Sequence, residues 1–205
     1  MKPDLINHIK SLRPLLDVHG KWAWIGNHKT CSHSIGNGPL KHKFLFYRRG
    51  YTNWRVVWNE LFAPRIDEVF LFAFVRNPWD RVCSAFFFLQ ERKKLIPDNI
   101  TFAEYVKTTL KEKGVSADDH FEEQTPIFSF KGEFFNTFLG RFESLEEDWA
   151  YIAEKINVRK KLPHYNGTSH NHYTSYYDDE CIEIVGRLYK EEIDALDYKY
   201  ETKNI

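Results

Sequence analysis

Arg76 follows an unbroken apolar run, Val69 to Val75, and precedes Asn77 and Pro78. Asparagine is a strong helix N-cap and proline is favoured at the first helical residue, so the pair predicts a helix opening at Pro78. A cation is thereby set at a strand end, beside free N–H groups and the positive end of a helix dipole, which is chemistry for holding a phosphate-like anion. Ser84, two turns into that helix, is a candidate second donor. Another such segment lies upstream. Lys21 to Ile25 (K-W-A-W-I) reads as a short buried strand, followed by G-N-H-K-T-C-S-H-S-I from Gly26 to Ile35. Lys29, Thr30, Cys31, Ser32, His33 and Ser34 stand together there. With a helix starting near Cys31, backbone N–H groups, hydroxyls and one ammonium would surround an anion. Two such segments predict a ligand with two separate phosphate-like groups.

The elements that must position these residues alternate between short apolar strands and helices. That order predicts an α/β chain: three layers, with a mostly parallel central sheet flanked by helices, and ligands at the carboxyl ends of the strands. Residues 1–205 read as a single domain, without repeats or low-complexity segments. Leu5, Ile9, Leu12 and Leu16 lie at helical spacing over residues 4–16, where Pro14 kinks or ends the helix. Asn37 to Thr52 reads as a polar, basic loop over the site, and Trp54 to Leu61 as helical. Val82, Ala85, Phe86 and Leu89 give the helix after Arg76 an inward stripe. Thr101 with Glu104, and Ser144 with Glu147, predict capping boxes for helices reaching Lys111 and Ile156.

Composition narrows the classes. Formal net charge is zero, which argues against a general nucleic-acid or anionic-membrane surface. Cys31, Cys83 and Cys181 have no paired spacing and are expected to be reduced. The N-terminal region has no long apolar stretch, so no signal peptide or membrane span is predicted. His164, His170 and His172 lack a thiolate or carboxylate at ligand spacing, and no metal is expected there. Asp80 and Arg81 read as a helix-start carboxylate and a surface cation, and Arg141 with Glu143 as a structural pair.

The first segment is similar to a P-loop but lacks the Walker glycines: His28 stands where a glycine would precede the lysine. Together the two segments resemble those of sulfotransferases that use 3′-phosphoadenosine 5′-phosphosulfate (PAPS), in the carbohydrate sulfotransferase branch with small bacterial relatives. Lys29-Thr30-Cys31-Ser32-His33-Ser34 stands where that family has K-T-G-G-T-S, with Cys31 in place of a glycine and His33 of a threonine. R-N-P-W-D-R, with Ser84, matches R-N-P-x-x-R-x-x-S. His120 to Gln124 (H-F-E-E-Q) resembles H-x-x-P-Q, with Glu123 for proline. Phe138 to Trp149, Leu162-Pro163-His164 with Tyr173 to Tyr177, and the closing L-Y-K-E-E-I-D-A-L-D-Y follow in family order.

The resemblance implies a P-loop-like sulfotransferase fold. It implies that Lys29, Thr30, Cys31, Ser32, His33 and Ser34 hold the 5′-phosphosulfate, and Arg76 and Ser84 the 3′-phosphate. It also implies a metal-independent enzyme acting on a carbohydrate or glycoconjugate hydroxyl; since Golgi relatives carry an apolar anchor and no such stretch is read here, a soluble, cytoplasmic enzyme is expected. Lys29 would stabilise the leaving 5′-phosphate. Counting back from Arg76 to the family's usual base position reaches Tyr51, a poor base near neutral pH. His120, with Glu122 and Glu123 to orient it, and His42 are the alternatives. Acceptor choice is expected in Asn37 to Thr52 and in Ile96 to Gln124. Two other readings stay open: a P-loop-like nucleotide-dependent kinase, and a non-catalytic member that binds nucleotide or glycan.

Overall fold

The structure is a computed structural model that describes residues 3–11, 15–17, 20–36, 40, 44–45, 63–135, 137–158, 161–162 and 170–201. Along the chain run α1 (Pro3–Ser11), β1 (Leu15–Asp17), β2 (Trp22–Ile25), α2 (Ser32–Gly36), β3 (Phe44–Leu45) and β4 (Phe70–Val75). Then come α3 (Pro78–Phe87), α4 (Phe102–Tyr105), β5 (Ser129–Phe130), β6 (Glu133–Phe134) and β7 (Thr137–Arg141). Last are α5 (Leu145–Lys155), α6 (Asp179–Leu188) and α7 (Lys190–Leu196). The chain divides into two compact units, one of Met1–Val75 with Pro126–Tyr165, the other of Arg76–Thr125 with Asn166–Ile205.

The first unit is built on a five-stranded sheet in the order β3-β1-β2-β4-β7. β2, β4 and β7 run parallel, with Ile25 opposite Ala73 and Val75 opposite Arg141. β1 pairs antiparallel with both β2 and β3, so the sheet is mixed at that edge rather than mostly parallel throughout. The connection explains this. Only four residues separate Asp17 from Trp22, with Gly20 at φ 72° and its N–H on the Asp17 carbonyl, whereas a parallel neighbour needs a long crossover. Trp22, Trp24, Phe72 and Phe74 pack with Ile35 of α2 and with Trp149 and Ile152 of α5. Gly140 of β7 is required beside them, because a Cβ there would stand 2.5 Å from the Phe74 ring.

Two readings of this unit change. The helix expected over residues 4–16 ends at Ser11, and Leu16 belongs to β1, where it faces Ala23 and Leu45. Cross-strand pairing outweighs the helical spacing of its leucines. Within Asn37 to Thr52, Phe44–Leu45 is a strand and Leu40 is buried in the core, so that stretch is not loop alone. Tyr51 and the helix expected over Trp54 to Leu61 lie outside the described residues.

The second unit is helical and aromatic. α3 opens as its sequence dictates: Asn77 caps it, its side chain accepting from the Trp79 N–H at 3.1 Å, and Pro78 is the first helical residue. Val82, Ala85, Phe86 and Leu89 are all buried. They pack with Phe102, Tyr105, Phe121, Cys181, Ile184 and Tyr189. α3 runs on into a π-helical turn, Phe88–Arg92. Thr101 and Glu104 form the expected capping box, whose helix continues through a π-helical stretch to Lys113.

Candidate active site

In the first unit the loop after β2 is shaped by two residues in the left-handed region, Lys29 at φ 62° and Cys31 at φ 63°. Asn27 organises it. Its side-chain amide donates to the Phe74 carbonyl at 3.2 Å, tying the loop to β4. Its carbonyl accepts from the Thr30 hydroxyl at 3.0 Å and from the Ser32 hydroxyl. These two hydroxyl protons are therefore turned inward on the loop. α2 begins at Ser32, as expected, and holds His33 and the buried Ser34. Cys31 is half-buried, and its φ is one that glycine adopts without cost, which fits its place against the family's glycine.

In the second unit Arg76 is buried and forks onto Asp80: Nε and Nη2 each donate to one carboxylate oxygen at 2.8 Å. This bidentate pairing fixes the plane of the guanidinium. Gln124 brackets the Arg76 backbone, its Oε1 accepting from the Arg76 N–H and its Nε2 donating to the Arg76 carbonyl, both at 2.9 Å. Ser84 lies in the second turn of α3 and is 4% exposed.

Arg81 is not a surface cation. It is 1% exposed and donates to the carbonyls of His120 at 3.3 Å and Glu122 at 2.6 Å. Its guanidinium also lies 3.7 Å from Glu192 and over the Tyr189 ring. Glu192, itself buried, accepts from the Gln124 backbone and side-chain N–H groups. Burial pushes its carboxyl above the usual range, with Arg81 and Gln124 opposing. Arg81, Glu192 and Gln124 thus join R-N-P-W-D-R to H-F-E-E-Q in one buried network. Sequence reasoning missed Arg81 and Glu192; the place of Arg81 in the motif was the available signal.

His120 sits in the 3-10 turn Asp119–Phe121. Its Nδ1 is 2.6 Å from Asp118 Oδ1, so Asp118 orients the ring, the role expected of Glu122 and Glu123. The Phe88 ring lies 5.0 Å away. His42 and His164 lie outside the described residues. Cys83 and Cys181 are buried, burial raises both thiols, and none of the three cysteines is in a disulfide among the described residues. Ser144 does not form the expected box with Glu147: its hydroxyl donates to Asp148 at 2.7 Å, and Asp148 also accepts from the Arg141 N–H. Among the described residues no helix is long and apolar enough to cross a membrane.

The model of the sulfotransferase family matches residues 29–199, and the chain belongs to that family. It is similar to an uncharacterized protein of Archaeoglobus fulgidus, 27% identical over 107 residues, covering 52% of this chain and 83% of the relative. No solved structure matches the chain.

Proposed function

We propose that the chain transfers a sulfuryl group from PAPS to a hydroxyl of a carbohydrate or glycoconjugate, and that residues 1–205 work as one catalytic domain. Family membership supplies the reaction class, and the match runs across both compact units. The observation that carries the finer reading is the buried Arg81–Glu192–Gln124 network. It gives the arginine proposed for the 3′-phosphate and the histidine proposed as base a common support.

The donor, when bound, supplies a sulfuryl group whose S–O bond to the 5′-phosphate breaks as a new S–O bond forms to the acceptor oxygen. Lys29 stabilises the charge left on that phosphate, with backbone N–H groups of the loop through Ser34 around it. Arg76 grips the 3′-phosphate, its guanidinium plane preset by Asp80, with Ser84 as second donor. His120 takes the acceptor proton. Positioning and fixed charge dominate such in-line transfers, and losing one charge stabiliser costs roughly 10²–10³ in rate.

The test is transfer of ³⁵S-sulfate from labelled PAPS to a panel of oligosaccharide, glycopeptide and lipid-linked sugar acceptors, with chelator present. Label on a sugar hydroxyl, reduced roughly 10²–10³-fold in Lys29→Ala, is the expected result. Bound donor with no label on any acceptor class would overturn the carbohydrate reading.

A further inference from the structure

We infer that Asp118 is the positioning residue of His120, fixing the imidazole tautomer so that Nε2 carries the lone pair that receives the acceptor proton. The inference rests on the sulfotransferase reading and deepens its account of the base. Asp118 Oδ1 meets the ring at Nδ1, 2.6 Å away, and accepts the His120 backbone N–H at 3.0 Å. An ionised carboxylate can only accept, so a neutral ring beside it carries its proton on Nδ1 and its lone pair on Nε2.

The surroundings hold this orientation. Asp118 caps the turn that carries His120, so its side chain is anchored to the backbone as well as to the ring. Arg81 pins the His120 carbonyl, and Tyr189 pins the next one, donating to Phe121 at 2.6 Å. Phe88, delivered by the π-helical turn at the end of α3, tilts 38° against the imidazole. The two side chains are only 26% and 18% exposed, and a hydrogen bond in such surroundings is stronger than one in water. During transfer the acceptor O–H bond breaks, its proton passes to Nε2, the acceptor oxygen bonds sulfur, and the S–O bond to the 5′-phosphate breaks. The Asp118 carboxylate keeps its contact with Nδ1 throughout and so stabilises the imidazolium.

Two measurements on the full chain test the pair. Two-bond ¹H–¹⁵N spectra of native protein, at a pH where His120 is neutral, are expected to report the Nδ1–H tautomer. This readout needs neither a variant nor turnover. Asp118→Asn keeps a capping oxygen but removes the charge that enforces the tautomer. It is expected to lose the Nδ1–H preference and to lower kcat by about 10²-fold, within the range a positioned general base supplies, with KM for PAPS unchanged. An Nε2–H tautomer in the native protein overturns the inference. So does an Asp118→Asn enzyme with native kcat, which leaves the sulfotransferase reading standing. Native protein that has the Nδ1–H tautomer but transfers no sulfuryl group overturns the base role together with that reading.

Discussion

Arg76 and Arg81 belong to one motif and do different work. Arg76 is forked onto Asp80 close to the end of a strand, while Arg81 is enclosed with Glu192 and holds two carbonyls of the histidine turn. Truncating one partner of a buried pair strands the other charge. Glu192→Ala is therefore expected to cost about 3–5 kcal/mol in denaturant unfolding, and a cost near zero would contradict the buried pair. Glu192 also has a pH signature. Its folded carboxyl titrates above its ordinary value, so its contribution is fully present below pH 4.5 and is lost as pH rises through the raised value. Glu192→Gln should remove that dependence. Cys31 carries a different cost. An L-residue at φ 63° is strained by roughly 1–2 kcal/mol, so Cys31→Gly is expected to raise the urea midpoint relative to Cys31→Ala; equal midpoints would refute it. Of these residues the sequence announced Arg76 and the glycine-like place of Cys31, because both sit in local motifs. Arg81 was misread because its partners come from the distant segments carrying Glu122 and Glu192.

Helix starts were legible where a cap is a local matter. Asn77 with Pro78, and Thr101 with Glu104, do what their types and spacing require. Ser144 does not, because Asp148 competes for its hydroxyl and also takes the Arg141 N–H from the end of β7. The kink or end read at Pro14 allowed the helix to stop before Leu16, but the strand that follows was not legible, because its pairing partners, Ala23 and Leu45, lie elsewhere in the sequence. Asp178 offers a test among the caps. It caps α6, accepting from the Cys181 N–H at 3.0 Å, and pairs with Lys107 at 2.6 Å. The Lys107 hydrogen bond first, then the Cys181 N–H, bring its carboxyl down to about 2. A lowered carboxyl gives stability that is full above its ordinary value of 3.8 and is lost as pH falls through about 2. Asp178→Ala is therefore expected to cost about 1 kcal/mol of cap at neutral pH and to differ less from native protein near pH 2. Denaturation at both pH values checks this; a gap that widens in acid would contradict it.

The sulfotransferase family match covers residues 29–199 and so includes the loop after β2 from Lys29 onward, the Arg76 motif and the His120 turn. The reaction class was legible because these motifs are local, each setting its charged or polar side chains beside a helix start within a few residues of sequence. The acceptor was not, since the segments expected to choose it, Asn37 to Thr52 and Ile96 to Gln124, carry few residues whose chemistry dictates a partner. The proposed donor requires that the chain bind a nucleotide bearing 3′- and 5′-phosphates. Calorimetric titration with adenosine 3′,5′-bisphosphate tests it most directly, with ATP and magnesium as comparison and Arg76→Ala as control. Magnesium-independent binding of the bisphosphate, weakened about 10- to 100-fold in Arg76→Ala, is the predicted result. Binding of ATP with magnesium but not of the bisphosphate would contradict it.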